Sequence, residues 1–319
     1  MQPSVTILMA IYKPRIEWLI EQAKSLNNQT YPNLKLLIWN DCPDDSNDYD
    51  EIFTNYINRI PYVLYKGRAN MGSNKAFEKL TELADTEYVA YCDQDDVWLP
   101  NKIETLVKYA IREQAELLCS DMHIIDGYGV LVANSITEVR PHHVFVFSKE
   151  KFQPLCSRNF IVGCTTLVKT TLAKSSIPFP DEFVHDWWLG LNAAVRDTIC
   201  IVKEPLIEYR IHGYNQTGVM TGVFDKQSYY EMRIKPVVSR SKVLLQRFGN
   251  SGYFAHLRLF NKYALIRQVY FFKHSPSFFC KFLRYLRINP NTVLFELILP
   301  IIPEFIFGYI IQKIRKGNL

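Results

Sequence analysis

The sequence predicts an α/β fold, a mostly parallel sheet flanked by helices, followed by a helical C-terminal appendage. Three observations carry this. Short apolar runs alternate with amphipathic helix-period segments through the first 125 residues, the rhythm of parallel strands joined by crossover helices. The runs are apolar at successive positions, as strands covered on both faces are. The charge balance then reverses: residues 1–225 hold 21 Lys/Arg against 29 Asp/Glu, and residues 226–319 hold 16 against 3. An acidic body over 1–225 is therefore expected to precede a basic, aromatic helical region over 226–319.

The elements follow in order. "VTILMAI" is the first strand, and the segment after it places Ile16, Leu19, Ile20, Ala23 and Leu26 on one helical face. "LKLLIW" is the second strand, leading through a polar loop to a short helix around Asp50–Asn58. "YVLY" leads to a helix from about Ser73 to Ala84, and "YVAYC" to one starting near Pro100, before "ELLCSD". "ICIVKEPLIEYR" reads as a strand pair. With 319 residues, 48% of them apolar, there is material for a sizeable core. The seven cysteines form no CxxC pair and most lie in apolar runs, which predicts free thiols in a reducing compartment. The first residues lack the basic stretch and long apolar core of a secretion signal.

In open α/β sheets ligands bind beyond the carboxyl ends of the strands. Asn40 and Asp41 follow the second strand, Arg68 and Asn70 the third, and Asp93, Asp95 and Asp96 the fourth, so one site is expected to collect them. Crowded carboxylates become favourable around a hard divalent cation, Mn²⁺ or Mg²⁺; the plainer reading is a solvated loop before the next helix. No GxGxxG and no GxxxxGK[ST] occurs, which argues against a dinucleotide-dependent dehydrogenase or a P-loop enzyme. Phosphates would have to be met by metal and scattered side chains, the pattern of sugar-nucleotide chemistry.

In order, "SVTILMAIYKP", "IWNDCPDDS", "NMGSNKAF", "CDQDDVW", "VHDWWLGL" and "YRIHGYNQTG" resemble family 2 of the inverting glycosyltransferases. The last three are similar to segments of bacterial rhamnosyltransferases of capsule, O-antigen and rhamnan assembly. The resemblance covers about residues 4–218 and implies a GT-A fold. It also implies transfer of a sugar, rhamnose from dTDP-rhamnose, with UDP-sugars as the other donor class. The acceptor would be a lipid-linked saccharide. Position by position, it implies that Ala10, Tyr12 and Asp41 cradle the nucleobase and that Asn70 and Lys75 line the nucleotide pocket. Asp93 would approach the ribose, Asp95 and His212 would hold the metal, Asp96 would orient the loop and Arg210 would grip the phosphates. Tyr214–Gly222 would be a flap ordered by substrate. The chain reads "MAIYKP" where relatives often end the first strand in "PTYN", and Lys75–Ala76 where many carry small residues.

His185 and Asp186 stand where an apolar helical run begins. One reading makes Asp186 a helix-start acid with Trp187 and Trp188 in the core. Read with the metal loop, Asp186 is the general base, because inversion needs one carboxylate to take the acceptor's proton. His185 would tune that base or touch the acceptor, as would Trp187; a merely packed histidine fits equally. Arg210 and His212, two apart on an extended chain, point to one face.

The basic aromatic tail repeats Leu259, Tyr263, Ile266 and Tyr270, then Phe279, Phe282, Leu283 and Leu286, at helical spacing. Such helices suit an anionic membrane surface, here the inner face of a bacterial plasma membrane, with the enzyme cytoplasmic and peripheral. No nucleic-acid motif is present, so nucleic acid is not an expected partner; a homodimer stays open. "VLFELILPIIPEFIFGYII" approaches spanning length, yet Glu296, Glu304, Pro300 and Pro303 favour a kinked interfacial or packed segment. Two rival functions remain. A sugar-phosphate nucleotidyltransferase would open with a glycine-rich loop that "AIYKPR" is not. A non-catalytic sugar- or membrane-binding scaffold would be expected to lack Asp95 or Asp186.

Overall fold

The computed structural model describes residues 2–140, 143–213 and 222–315. The chain divides into two compact units, Met1–Gly213 and Tyr214–Leu319.

The first unit runs β1 (Val5–Ile11), α1 (Ile16–Asn27), β2 (Leu34–Asn40), α2 (Tyr49–Tyr56), β3 (Tyr62–Lys66), α3 (Ser73–Leu83), β4 (Tyr88–Cys92), β5 (Val97–Trp98), α4 (Lys102–Glu113), β6 (Leu117–Ile125) and β7 (Leu131–Ala133). It continues with α5 (Ile136–Val139), α6 (Phe152–Ser157), a 3₁₀ turn at Gly163–Thr165, β8 (Thr166–Lys169), α7 (Thr170–Ser175), α8 (His185–Ala194) and β9 (Ile199–Arg210). One sheet has the order β3-β2-β1-β4-β8-β6-β9-β5, with β7 paired to β6. β3, β2, β1 and β4 are mutually parallel. In β1 and β4, Val5, Ile7, Leu8, Met9, Val89 and Ala90 have no exposed surface, as the continuous apolar runs anticipate. This is the mixed α/β architecture of a GT-A fold, a curled, mostly parallel sheet between helices.

Two features of the topology position the site. β1 sits between β2 and β4, so the loops leaving β1, β2 and β4 open on one edge of the sheet, beside the point where the order reverses. The short β5 pairs antiparallel with β9, Val97 opposite Glu208 and Trp98 opposite Ile207. Continuing that register lays Asp96 and Asp95 beside the end of β9, at Tyr209 and Arg210. "ICIVKEPLIEYR" is thus one twelve-residue strand, not a pair. It follows β6 in parallel through register shifts at Ser120/Asp121 and Asp121/His123, one on each side of the Asp121–Pro205 pair.

The second unit is helical: α9 (Lys226–Tyr229), a π turn at Tyr230–Ile234, α10 (Lys235–Phe248), α11 (Phe254–Phe272), α12 (Pro276–Leu283), α13 (Pro290–Ile298), a 3₁₀ turn at Leu299–Ile301 and α14 (Glu304–Arg315). The buried face of α11 is Leu257, Phe260, Tyr263, Ala264, Arg267 and Tyr270, whereas Leu259 is exposed. Of the α12 stripe only Phe282 is buried. Arg267 explains the shift: its guanidinium pairs with buried Glu296, Nε to Oε2 at 2.9 Å and Nη2 to Oε1 at 2.5 Å, and Tyr229 also donates to Glu296 at 3.0 Å. The carboxylate that makes the last apolar segment unfit for lipid is neutralised inside this unit. Pro300 and Pro303 break the segment between α13 and α14. Among the described residues no helix is long and apolar enough to cross a membrane. Removing one partner of a buried pair strands the other charge at a cost of about 3–5 kcal/mol. Arg267→Met should therefore lower the melting temperature far more than the double change Arg267→Met/Glu296→Leu, a contrast calorimetry reads directly.

Candidate active site

The first part of the candidate site is built at the ends of β1, β2 and β3. A cleft of about 550 Å³ opens there, lined among others by Tyr12, Lys13, Asp44, Asp45, Arg68 and Asn70. Gln94 of the acidic loop stitches its floor: Tyr12 N–H donates to Gln94 Oε1 at 2.8 Å and Gln94 Nε2 returns a bond to the Tyr12 carbonyl at 3.2 Å. Ala10 is half-buried at the end of β1, opposite Trp39. Lys13 holds φ 42°, a conformation costly to a side-chain-bearing residue and met at binding sites. Asp41 is buried and accepts from Gly72 N–H (2.9 Å), Met71 N–H (3.1 Å) and Trp39 Nε1 (3.3 Å). Asn70 Oδ1 also accepts from Gly72 N–H, at 2.9 Å. Gly72 takes φ 82°, a conformation glycine adopts without strain, so these two side chains shape the turn entering α3. Lys75 points away from the cleft, its ammonium on Glu78 and on the Phe179 carbonyl at 3.1 Å. Its expected place lining the nucleotide pocket is not what the structure shows.

The acidic loop follows. Asp95 Oδ2 lies 2.8 Å from His212 Nε2, and the His212 ring packs on Trp18 with centroids 4.7 Å apart. The carboxylate and the imidazole expected to hold the metal are thus brought together, bonded directly to one another. Asp93, Asp96 and Cys164 form a second, inward group whose ligand atoms lie within 4.8 Å of one another. Asp96 is fully buried and its Oδ1 accepts from Arg210 N–H at 3.0 Å. Burial, then the charge of Asp95, push the carboxyls of Asp93 and Asp96 well above the usual range.

Arg210 departs from expectation. Its side chain is buried, Nε donating to the Asp95 carbonyl at 2.8 Å, Nη1 to the Asp126 carbonyl at 3.3 Å and Nη2 to Glu21. The guanidinium also faces the Trp18 ring at 5.3 Å. It clamps the acidic loop from behind, where a phosphate grip was expected. Arg210→Lys should thus cost stability, because one ammonium cannot reproduce this fork. A drop in melting temperature of several degrees, with or without nucleotide, is the expected reading.

On the far side, Asp186 is the second residue of α8, half-buried. Its Oδ2 accepts from Gly163 N–H at 2.8 Å, and its Oδ1 from Asn159 Nδ2 at 3.0 Å and Trp187 N–H at 2.5 Å. Burial raises its pKa to about 6, with those hydrogen bonds holding it down. Its charge is among those that raise the Asp93 carboxyl. His185 is packed between Phe77 (4.3 Å) and Tyr91 (4.9 Å), and burial drives its pKa to about 3, so it is neutral. Trp187 is buried and its indole N–H donates to the Leu155 carbonyl at 2.6 Å. Both rings support α8, and the expected contact of either with an acceptor gives way to packing. Gly163 has to be small: a Cβ there would lie 2.7 Å from His185 Nε2.

Trp18, Glu21, Gln94 and Asn159 join the site without having been singled out in the sequence. For Trp18 and Glu21 a signal existed, an aromatic and an acid one turn apart on the first helix after a site-forming strand. The expected flap, Tyr214–Gly222, lies outside the described residues but for its last.

Known proteins share this architecture. The Glycosyl transferase family 2 profile matches residues 6–174. A dTDP-rhamnosyl transferase, RfbG of Shigella flexneri, is 26% identical over 212 residues, 63% of this chain and 71% of that protein. An Escherichia coli UDP-Glc:alpha-D-GlcNAc-diphosphoundecaprenol beta-1,3-glucosyltransferase, WfgD, is 25% identical over 222 residues, 69% and 81% of the two chains. Among solved structures, S. aureus TarS 1–349 in complex with UDP-GlcNAc superposes with a TM-score of 0.61 at 14% identity, over 99% of this chain and 92% of that one. With the profile spanning more than half of the sequence, this chain belongs to glycosyl transferase family 2.

Proposed function

We propose that the protein is an inverting, metal-dependent glycosyltransferase that moves a sugar from a nucleotide-sugar donor to a lipid-linked saccharide in bacterial surface polysaccharide synthesis. The preferred donor is dTDP-rhamnose. What supports the reading is a cleft of about 550 Å³ at the ends of β1, β2 and β3, the Asp95–His212 pair beside Asp93, and Asp186, whose charge reaches Asp93 and whose carboxyl burial raises to about 6. The names of RfbG and WfgD supply the donor and acceptor classes by similarity, and the TarS complex supports a nucleotide-sugar donor.

In this reading Tyr12, Ala10 and the turn shaped by Asp41 and Asn70 receive the nucleoside, and Asp93 faces the ribose. A Mn²⁺ or Mg²⁺ held by Asp95 and His212 would supply the charge that stabilises the leaving diphosphate. Asp186 accepts the acceptor's hydroxyl proton as that oxygen forms its bond to the anomeric carbon. The carbon–oxygen bond to the diphosphate breaks on the opposite face, its electron pair leaving with the nucleotide. Arg210, Glu21 and Trp18 hold the acidic loop and His212 in register without touching substrate. Calorimetry with UDP, dTDP and GDP tests the cleft: the reading expects at least one to bind with Mn²⁺ and to weaken about tenfold or more in chelator.

The division of labour proposed for the tail is membrane attachment. In the second unit Leu294 and Ile298 of α13, Ile301 of the 3₁₀ turn and Phe305 and Tyr309 of α14 are 49–80% exposed, with Lys313 Nζ 5.6 Å from the Tyr309 ring. An apolar ridge on a unit so rich in Lys and Arg suits an anionic bilayer, where each basic residue near the surface contributes roughly 1 kcal/mol. Ile301→Glu/Phe305→Glu should abolish flotation with anionic liposomes and leave the melting temperature within a degree or two, since both side chains are exposed. Unchanged flotation would place the contact elsewhere, and a shift to monomer on sizing would make the ridge a dimer interface.

A further inference from the structure

Lys102 is the first residue of α4, and its side chain has no exposed surface. Two costs attend it. A buried ammonium loses its hydration, and a cation at a helix N-terminus opposes the helix dipole. Neither is needed for the fold, since an apolar residue of that length would fill the same space. What surrounds the ammonium shows what it does. Nζ donates to the Cys164 carbonyl and stands 3.3 Å from the centre of the Trp98 ring. Asp93 and Asp96 of the acidic loop, Cys92 at the end of β4 and Cys164 of the 3₁₀ turn are near enough for their charges to act on it.

That turn, Gly163–Thr165, is the piece of chain lying between the acidic loop and α8. Its first residue donates to Asp186 at 2.8 Å, and a Cβ on the same residue would run into His185, the neighbour of Asp186. The turn also has its own local bonds, Thr165 N–H to the Val162 carbonyl at 2.9 Å and Thr166 Oγ1 to the Gly163 carbonyl at 2.7 Å, and the Cys164 thiol bonds to the carboxyls of Asp93 and Asp96. Lys102 ties the next residue of the turn, Cys164, to the start of α4. We propose that Lys102 is a positioning residue for glycosyl transfer: by gripping the Cys164 carbonyl it fixes the Gly163 N–H that orients Asp186 against the acidic loop. The proposal rests on Asp186 being the base, and the test separates the two.

The experiment uses the full chain, with nucleotide and metal saturating. Lys102→Met keeps the length of the side chain and removes the ammonium. The expected result is a cooperative melt, donor affinity within about threefold of the parent, and kcat lower by about 10²-fold, the scale of a displacement near 1 Å. The acid limb of kcat should also move to higher pH, because losing a hydrogen bond to the carboxylate favours its protonated form. Gly163→Ala displaces the same turn, with Lys102 intact, and should give the same pair of changes. Unchanged kcat and acid limb with a lowered melting temperature would make Lys102 structural only and overturn the proposal. Lost donor affinity would show that Lys102 serves the acidic loop instead. Failure of both variants to fold would likewise contradict it, by making the residue part of the core. Asp186→Asn is run beside them. If that variant still transfers sugar, the base assignment fails whatever Lys102 does.

Discussion

Asp186→Asn lowers sugar transfer by at least about 10³-fold, roughly 4 kcal/mol of transition-state stabilisation, and leaves donor affinity within a few-fold. The amide keeps the shape and cannot take a proton. Two of its neighbours, Gly163 N–H and Trp187 N–H, are backbone donors that the carboxylate now accepts on separate oxygens. The amide must turn its NH₂ towards one of them, so a stability loss of about 1–3 kcal/mol accompanies the change. Loss of activity with an intact cooperative melt is the outcome expected of a base; loss of folding would be that of a helix-start acid alone. The pH dependence has a definite sign. Burial raises this carboxyl to about 6, so the base is ionised at neutral pH and kcat falls as pH drops through about 6. In Asp186→Asn the residual rate should lose that limb.

Asp95→Asn and His212→Ala each remove one of the two groups proposed for the metal, and each should weaken Mn²⁺-dependent nucleotide binding and cut turnover by about 10²-fold or more. Trp18 packs on the His212 ring, so Trp18→Ala should show a milder form of the same defect. The three variants are distinguished from folding defects by the metal itself. Raising Mn²⁺ should recover Trp18→Ala, whose ligands remain, and recover His212→Ala least. Full activity of the parent chain in excess chelator would remove metal from the account.

Much of this arrangement was legible in the sequence, and the reasons differ by element. The strands β1, β2 and β4 announced themselves because parallel strands buried on both faces are apolar without interruption. Asp186 was legible as a residue of two readings; the structure places it at the start of α8, half-buried and near Asp93, and its role as base stays a proposal. Arg210 was placed on the correct strand and facing the correct loop, but a sequence does not show that Glu21 and two carbonyls occupy its guanidinium. Lys75 fell within a recognisable segment, and only the fold reveals the Phe179 carbonyl that turns it away. Lys102 went unremarked because one lysine at a helix start looks like a solvated one until its burial is known. In the tail, the charge reversal was plain. The Arg267–Glu296 pair was not, since its two charges are far apart in sequence and each alone reads as surface.

The most direct measurement is nucleotide release by the purified full-length chain from dTDP-, UDP- and GDP-sugars, with lipid-linked saccharide acceptor present, in Mn²⁺ or Mg²⁺ and again in excess chelator. The account predicts that one donor class, with dTDP-rhamnose the first choice, releases nucleotide in step with transfer, only with metal and only with Asp95 and Asp186 intact. Release unaffected by chelator and by both substitutions, or no turnover of any donor by a folded chain that binds nucleotide, would contradict it.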